Sequence, residues 1–202
     1  MAPNGTLRVS VPSYAPLFMV KRMIQSSRTD IRKLFAAQPN LTLTHGMQVG
    51  KSHTLVLRDG VARSVKRQGL QLIVTLGPND TASQPDIVDT VRTHMRTILR
   101  KEAKAHLPKR ISHLANTHGF TFSSLRFTHA SSRWGSCNSN QAISLNIALM
   151  NLPFELIDYV LLHELAHTKH LNHSKSFWDE VARTDPDFAA HRGQLKRYNP
   201  AI

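Results

Sequence analysis

The chain has 202 residues, a length that suits one domain or two small subdomains around a shared core. Hydrophobic residues make up 41% of it and charged residues 19%, a balance that excludes bulk disorder. Lysine and arginine total 26 against 13 acidic residues, and the formal charge of +13 favours polyanionic partners. No apolar run is long enough to span a bilayer, no signal-peptide pattern is present, and the single cysteine cannot form an internal disulfide. We therefore expect a cytoplasmic protein without a membrane partner.

The first part of the chain reads as a β-rich subdomain. Apolar residues at helical spacing predict one helix, over residues 17–35. Strand-like runs occur at residues 6–11, 53–58, 61–66 and 70–76. Asp59-Gly60 is typical of a hairpin turn, so we expect the strands on either side of it to pair within a small antiparallel sheet. A stretch rich in Pro, Gly, Asn and Ser at 77–86 ends this subdomain, which we assign to residues 1–78.

The second part, residues 84–200, reads as mostly helical. Beyond residue 86, apolar side chains at helical spacing predict a long helix, which Pro108 ends or kinks. Residues 111–117 continue helically until Gly119 stops the helix. Two short strands are predicted at 125–128 and 142–145, and later helices at 154–171, 174–182 and 187–197. Asn172 tolerates the left-handed conformation that can end a helix, and Ser174 can cap the next one.

The pattern that indicates chemistry is His-Glu-x-x-His at residues 163–167. Four residues span about 400° of a helix, so His163 and His167 project from one face and can hold one metal ion. Glu164 lies about 100° round from His163, where it can serve as general base towards a metal-activated water. The alternative is a buried helix whose histidines only bond to the backbone, and the number and spacing of the histidines disfavour it.

A zinc hydrolase needs a third protein ligand and an open position. His173 follows the predicted helix break, so the chain can bring it back towards the metal, and we expect it to be that ligand. His170 lies about 4.5 Å beyond His167 along the helix axis, from where three side chains converge poorly. Glu180 is the alternative ligand. The histidine spacing is also that of metzincins, but the glycine of that pattern is absent and no methionine follows Met150, so we do not expect a metzincin.

Several segments resemble one known family: SRWGSC at 132–137, ISLN at 143–146, P-x-E-x-I-D-Y-V-x-x-H-E-L-A-H at 153–167 and NHSKSFW at 172–178. They are similar to the YgjP-like metallopeptidase family, which is related to the SprT-like and Spartan-type zincins. The resemblance implies an α+β fold with a zincin-like, minimal metallopeptidase domain in the helical C-terminal half. It also implies one Zn²⁺ on His163, His167 and His173, with Glu164 catalytic.

By the same resemblance, the strand and turn on the rim of the cleft comprise Arg133, Trp134, Gly135 and Ser136. We expect this rim to align a substrate strand through main-chain hydrogen bonds. For Trp134 and Gly135 we favour the alternative roles of a core anchor and a backbone requirement. Arg133 could hold a phosphate or a carboxylate group. Cys137 is expected to be a buried small hydrophobe. A substrate-stabilising role is a further hypothesis for two residues of the last helix, His191 and Arg192.

A row of cations recurs every four residues on the long helix: Arg92, Arg96, Arg100 and Lys104. Like charges at this spacing repel slightly, so helix stability gives no reason for the row. Binding to a nucleic-acid backbone would give one, and a solvated helix face is an equal alternative. The aromatic content of 6% argues against a base-stacking platform.

These observations favour a zinc-dependent metallopeptidase that acts on protein or peptide substrates. The alternative is a metal-dependent UTP pyrophosphatase, because some relatives carry that assignment and the positive charge suits a triphosphate. Phosphate chemistry, however, often uses Mg²⁺ held by carboxylates rather than a histidine site. A third hypothesis, a nucleic-acid module with structural zinc, lacks the fourth ligand that such a site normally has.

Overall fold

The computed structural model describes residues 16–28 and 41–202. The chain divides into two compact units, Met1–Leu41 and Thr42–Ile202. In the first unit, helix α1 spans Leu17–Ser26; the predicted strand at 6–11 and residues 29–35 of the predicted helix lie outside the described residues. Within the described ranges, no helix has both the length and the apolar character that crossing a membrane requires. The predicted boundary between residues 78 and 84 stays a prediction.

A four-stranded sheet opens the second unit, in the spatial order β1-β2-β4-β3. Its strands are β1 (Gln48–Val49), β2 (His53–Asp59), β3 (Ser64–Gln68) and β4 (Gln71–Leu76). The predicted hairpin of β2 with β3 is wrong. Strand β4 lies between them, parallel to β2 and antiparallel to β3.

The side chains of β4 explain this order. Leu72, Ile73 and Val74 are consecutive buried residues, a pattern that suits a central strand covered on both faces. Strand β3 has exposed Lys66 and Arg67, which suit the edge of a sheet. The chain after the Asp59-Gly60 turn therefore runs to the far edge, and the N–H of Gly60 bonds to the carbonyl of Leu76 at 2.8 Å.

Helix α2 spans Pro85–His118, and Gly119 ends it in the left-handed conformation with φ +71°, as predicted. Pro108 lies inside the helix without ending it. The predicted apolar stripe is buried, and it includes Val91, Met95 and Ile98. The same helix contacts the first sheet and, further along, helix α3 (Phe154–Ala166).

The second sheet has the spatial order β5-β7-β6, with β5 at Ser124–Thr128, β6 at Gly135–Cys137 and β7 at Ala142–Asn146. Strand β7 is parallel to β5 and antiparallel to β6. Asn146 holds the loop that leads into β6, because its side-chain amide donates to the carbonyls of Ala130 at 2.7 Å and Arg133 at 3.0 Å. Its side-chain oxygen caps the following 3-10 helix, Ile147–Asn151.

Helix α3 ends at Ala166, five residues earlier than predicted. The N–H groups of Thr168 and Lys169 bond to carbonyls three residues back, so the chain leaves the helix in tight turns. Asn172 therefore does not end the helix, and among the described residues the non-glycine position with positive φ is Gln141. Helix α4 (Lys175–Thr184) is capped by Ser174 as predicted, and α5 spans Phe188–Leu195.

The main core lies between α2, β7, α3 and α4. Its fully buried side chains include Leu107, Ile111, Ile143, Leu145, Leu161, Leu165 and Phe177. Helix α3 is buried on nearly all sides, since 9 of its 13 residues are buried, and Glu164 is the one charged side chain among them. The mixed α+β architecture that the sequence predicted is confirmed, with the His-Glu-x-x-His segment at the C-terminal end of the largely buried helix α3.

Candidate metal centre

Three imidazoles converge where the end of α3 meets the start of α4. They belong to His163, His167 and His173, and one possible ligand nitrogen from each lies within 4.8 Å of the other two. The Nε2 atoms of His163 and His173 are 3.3 Å apart. Two nitrogens bound at ~2.0–2.1 Å to one tetrahedral zinc ion would be about 3.3–3.4 Å apart. The spacing therefore fits a shared metal ion.

The rings are held in the form that binds metals. Nδ1 of His167 lies 2.9 Å from the carbonyl oxygen of His170, an acceptor, so Nδ1 carries the proton and the Nε2 lone pair is left for an ion. Burial lowers the pKa of His167, and burial with the neighbouring imidazoles lowers the pKa of His163 to about 3. Both rings are therefore neutral, as metal ligation requires. Nδ1 of His163 is buried without a partner among the described residues.

One aromatic ring supports all three imidazoles. Phe177 is fully buried at the start of α4, and its ring centroid lies 4.9 Å from that of His163, 4.4 Å from that of His167 and 4.8 Å from that of His173. Trp178 stacks on His173 at 5.6 Å. The sequence patterns did not assign these rings a role, although both lie within the NHSKSFW segment. The capping Ser174 directs α4 so that its first turn faces the histidines.

Glu164 is 5% exposed and has one carboxyl oxygen, Oε2, buried without a partner among the described residues. Burial raises the pKa of Glu164 to about 8, and the positive charge of Arg133 opposes this shift. Gly135 of β6 lies against this carboxyl group, and a Cβ atom there would be 2.6 Å from its Oε1. Gly135 thus leaves the space that Glu164 occupies.

A cavity of about 200 Å³ opens beside Glu164. It is lined by Trp134, Gly135, Tyr159, Val160, His163, Glu164 and Leu195. Tyr159 was not singled out from the sequence. The available signal was its position four residues before His163, which places the two side chains on one face of α3, with ring centroids 6.0 Å apart.

The predicted rim lies beside Glu164. Gly135 and Ser136 form part of β6, and the half-buried Trp134 packs against the core. Arg133 is exposed, and its charge reaches Glu164. Cys137 is half-buried rather than fully buried, and burial, with the charge of Glu164, raises the pKa of its thiol to about 11.

Other residues considered from the sequence are not members of the three-imidazole cluster. Glu180 accepts from Lys169 Nζ at 2.7 Å and from Arg183 Nη2 at 2.9 Å, and these bonds lower its pKa to about 2. His170 lies beyond the end of α3 at Ala166, and its carbonyl oxygen accepts a hydrogen bond from the His167 ring. His191 donates from Nδ1 to Asp185 at 2.8 Å.

The cation row of α2 is unevenly exposed. Arg92 and Arg96 are half-buried, whereas Arg100 and Lys104 are exposed. Arg100 reaches the carbonyl of Phe127 at 3.4 Å, so part of the row lies alongside β5. Nucleic-acid binding by these four residues stays a prediction.

Comparison with known proteins gives one family. The sequence matches the family described as YgjP-like, metallopeptidase domain, over residues 1–198, and no curated protein matches it. Similar solved structures include the metallopeptidase zymogen of Pyrococcus abyssi abylysin, 27% identical, with a TM-score of 0.40 over 45% of this chain and 92% of that one. The metallopeptidase zymogen of Methanocaldococcus jannaschii jannalysin is 18% identical, with a TM-score of 0.40 over 45% of this chain and 93% of that one. Since the family match spans nearly the whole sequence, the chain belongs to the YgjP-like metallopeptidase family and is a metallohydrolase.

Proposed function

We propose that the protein is a zinc-dependent metallopeptidase in which His163, His167 and His173 hold one Zn²⁺ and Glu164 is the general base. The observation that carries this proposal is the cluster of three imidazoles with a buried carboxyl group at its side. The cluster contains no fourth protein ligand among the described residues, and a catalytic zinc site keeps such a position open.

The ligand set supports zinc over the harder divalent ions. Neutral imidazoles suit Zn²⁺, whereas Mg²⁺ and Ca²⁺ prefer carboxylate and carbonyl oxygens. Glu180, the alternative ligand, does not join the three rings, because Lys169 and Arg183 engage its carboxylate. When bound, zinc polarises a carbonyl group and lowers the pKa of water.

Glu164 would move the proton during hydrolysis. As a carboxylate it takes a proton from the attacking water while the new C–O bond forms. As a carboxylic acid it delivers that proton to the amine nitrogen while the peptide C–N bond breaks. Glu164 is 5% exposed and packs against Gly135, so the carboxyl group that carries the proton is largely shielded from solvent.

Strand β6 would hold the substrate chain. Trp134 accepts from Asn146 N at 2.8 Å, and Asn138 donates to Ala142 at 3.2 Å. Since hydrogen-bonded pairs alternate along antiparallel strands, the backbone groups of Gly135 and Cys137 point away from β7. No other described strand pairs with that edge. An extended peptide can add there through main-chain hydrogen bonds, which favours a peptidase over a UTP pyrophosphatase.

The test compares zinc-loaded wild-type protein with Glu164→Gln on denatured casein and, separately, on UTP. We expect casein fragments from the wild type and at least a ~100-fold slower rate from Glu164→Gln with its zinc content unchanged. Glu155→Gln, an exposed position on the same helix, is the matched control. Glu164-dependent pyrophosphate release from UTP with intact casein would instead establish the nucleotide hydrolase.

A second pair of variants tests the third ligand. His173→Ala should lose most of its zinc on dialysis, measured by mass spectrometry, because two imidazoles remain. Glu180→Ala should keep its zinc. The reverse result would replace His173 by Glu180 as the ligand.

A further inference from the structure

The tyrosine of the cavity has a hydroxyl group with no evident structural task. Tyr159 is 4% exposed and lines the cavity beside Glu164 and His163. Buried tyrosine hydroxyls normally have a hydrogen-bond partner. The Tyr159 hydroxyl makes no hydrogen bond to any residue in the described ranges, and its oxygen atom is not completely buried. The residue is therefore buried as a whole, yet its hydroxyl is accessible from the cavity.

The ring of Tyr159 lies near the histidine cluster and near an ion-paired histidine. Its centroid is 6.0 Å from that of His163 and 6.3 Å from that of His191 of α5. His191 is fixed by its 2.8 Å hydrogen bond to Asp185, which is 8% exposed. Asp185 is in turn fixed because it accepts from the N–H of Asp187 at 3.2 Å. The Asp185–His191 pair therefore limits how the Tyr159 ring can move.

We propose that Tyr159 is a further catalytic residue, whose hydroxyl donates a hydrogen bond to the scissile carbonyl oxygen, and that the Asp185–His191 pair is its positioning element. The inference rests on the proposed peptidase function. As water oxygen bonds to the carbonyl carbon, the C=O π pair moves onto the carbonyl oxygen, and Tyr159 stabilises that charge without giving up its proton. When the pair returns, the C–N bond breaks and the amine takes the proton held by Glu164.

The neighbouring cations are less suited to this role. Arg192 lies over the Trp178 ring, with its guanidinium carbon 4.7 Å from the ring centroid. Arg133 is exposed to solvent. A neutral donor that lines the cavity stabilises developing charge without requiring a permanent charge there in the resting enzyme.

The test is Tyr159→Phe, which keeps the ring and removes one oxygen, with the exposed Tyr198→Phe as matched control. The substrate is a quenched fluorescent peptide built on a casein sequence that the wild type cleaves. We expect kcat to fall about 100-fold in Tyr159→Phe, and KM to change by less than about threefold. Affinity for a phosphinic peptide, whose tetrahedral anion imitates the charged carbonyl, should fall to a similar extent. Zinc content and the unfolding midpoint should stay unchanged.

The outcomes separate this inference from the proposed function. Full kcat and unchanged phosphinic-peptide affinity in Tyr159→Phe would overturn the role of Tyr159 while the peptidase stands. A wild type that cleaves no peptide would overturn both. The positioning pair is tested with His191→Gln, alone and combined with Tyr159→Phe. His191→Gln alone should lower kcat, whereas the double variant should have the same kcat as Tyr159→Phe. Independent, multiplying losses would show that His191 does not act through Tyr159.

Discussion

Two parts of the molecule share one strand order but differ at the edge. In β2-β4-β3 and in β5-β7-β6, the first strand along the chain is parallel to the third, and the second forms an antiparallel edge. Edge strand β3 carries the exposed cations Lys66 and Arg67, whereas β6 carries no charged residue. Charged edges resist the addition of another strand, and uncharged edges permit it.

Topology alone therefore does not make a binding edge. Strand β6 lies against α3, where its Gly135 leaves room for a buried carboxyl group. Strand β3 packs beside α2, and among the described residues no buried carboxyl group lies against it.

The largest effect should come from filling the space that β6 leaves. In Gly135→Ala, the new methyl group would lie 2.6 Å from a carboxyl oxygen of Glu164 and displace it. We expect kcat for the fluorescent peptide to fall about 100-fold, since general-base catalysis depends on position. Gly193→Ala, where a Cβ has no neighbour within 4 Å, is the control. Wild-type kcat in Gly135→Ala would separate Glu164 from this contact.

The next effect concerns the helix that follows the histidines. Phe177→Leu should weaken zinc affinity about tenfold, because all three imidazoles lose the ring that orients them. Competition with a zinc chelator measures the affinity. Phe120→Leu, a buried core position away from the imidazoles, should lower the free energy of unfolding similarly, by about 1–1.5 kcal/mol, with zinc affinity unchanged. Equal zinc affinity in both variants would remove the supporting role of Phe177.

A smaller effect should come from changing the substrate alone, at the main-chain positions that would pair with the edge of β6. Methylating a peptide nitrogen that faces β6 removes one main-chain hydrogen bond and should raise KM about threefold to tenfold. Methylation at the adjacent nitrogens, which face away, should leave KM unchanged, because the pairing alternates along an antiparallel strand. A series of singly methylated peptides gives the pattern. A uniform response along the peptide would contradict strand addition.

The smallest effect concerns stability beside the site. Hydrogen bonds from Arg183 and Lys169 lower the pKa of Glu180 to about 2. The contribution of its carboxylate to the free energy of unfolding is therefore present above its ordinary pKa of 4.5 and is lost as the pH falls through 2. Glu180→Gln should therefore lower the free energy of unfolding by about 0.5–1 kcal/mol at pH 7, because water screens the pair. Urea unfolding at pH 7 and pH 2.5 should show this difference shrinking. A difference independent of pH would point to packing rather than charge.

Local patterns predicted several elements well. The helix ending at Gly119 and the cap at Ser174 depend on short-range backbone chemistry, and both are confirmed. The hairpin after Asp59 was wrong because a turn signal does not report which strand is apolar enough to be central. The end of α3 was predicted too late because a hydrogen bond from the His167 ring to the His170 carbonyl favours a turn there.

The sequence by itself determined the His-Glu-x-x-His face and the family, because helical spacing and contiguous motifs are local properties. Three further features became visible in the folded chain: Phe177 supports the three imidazoles, Gly135 makes room for Glu164, and Tyr159 lines one cavity with His163 and Glu164. The contact of Gly135 with Glu164 joins two segments 29 residues apart, and the other two join side chains from neighbouring helices and turns. They follow from how buried helices and strands pack together, and that packing is not encoded in any single stretch of sequence.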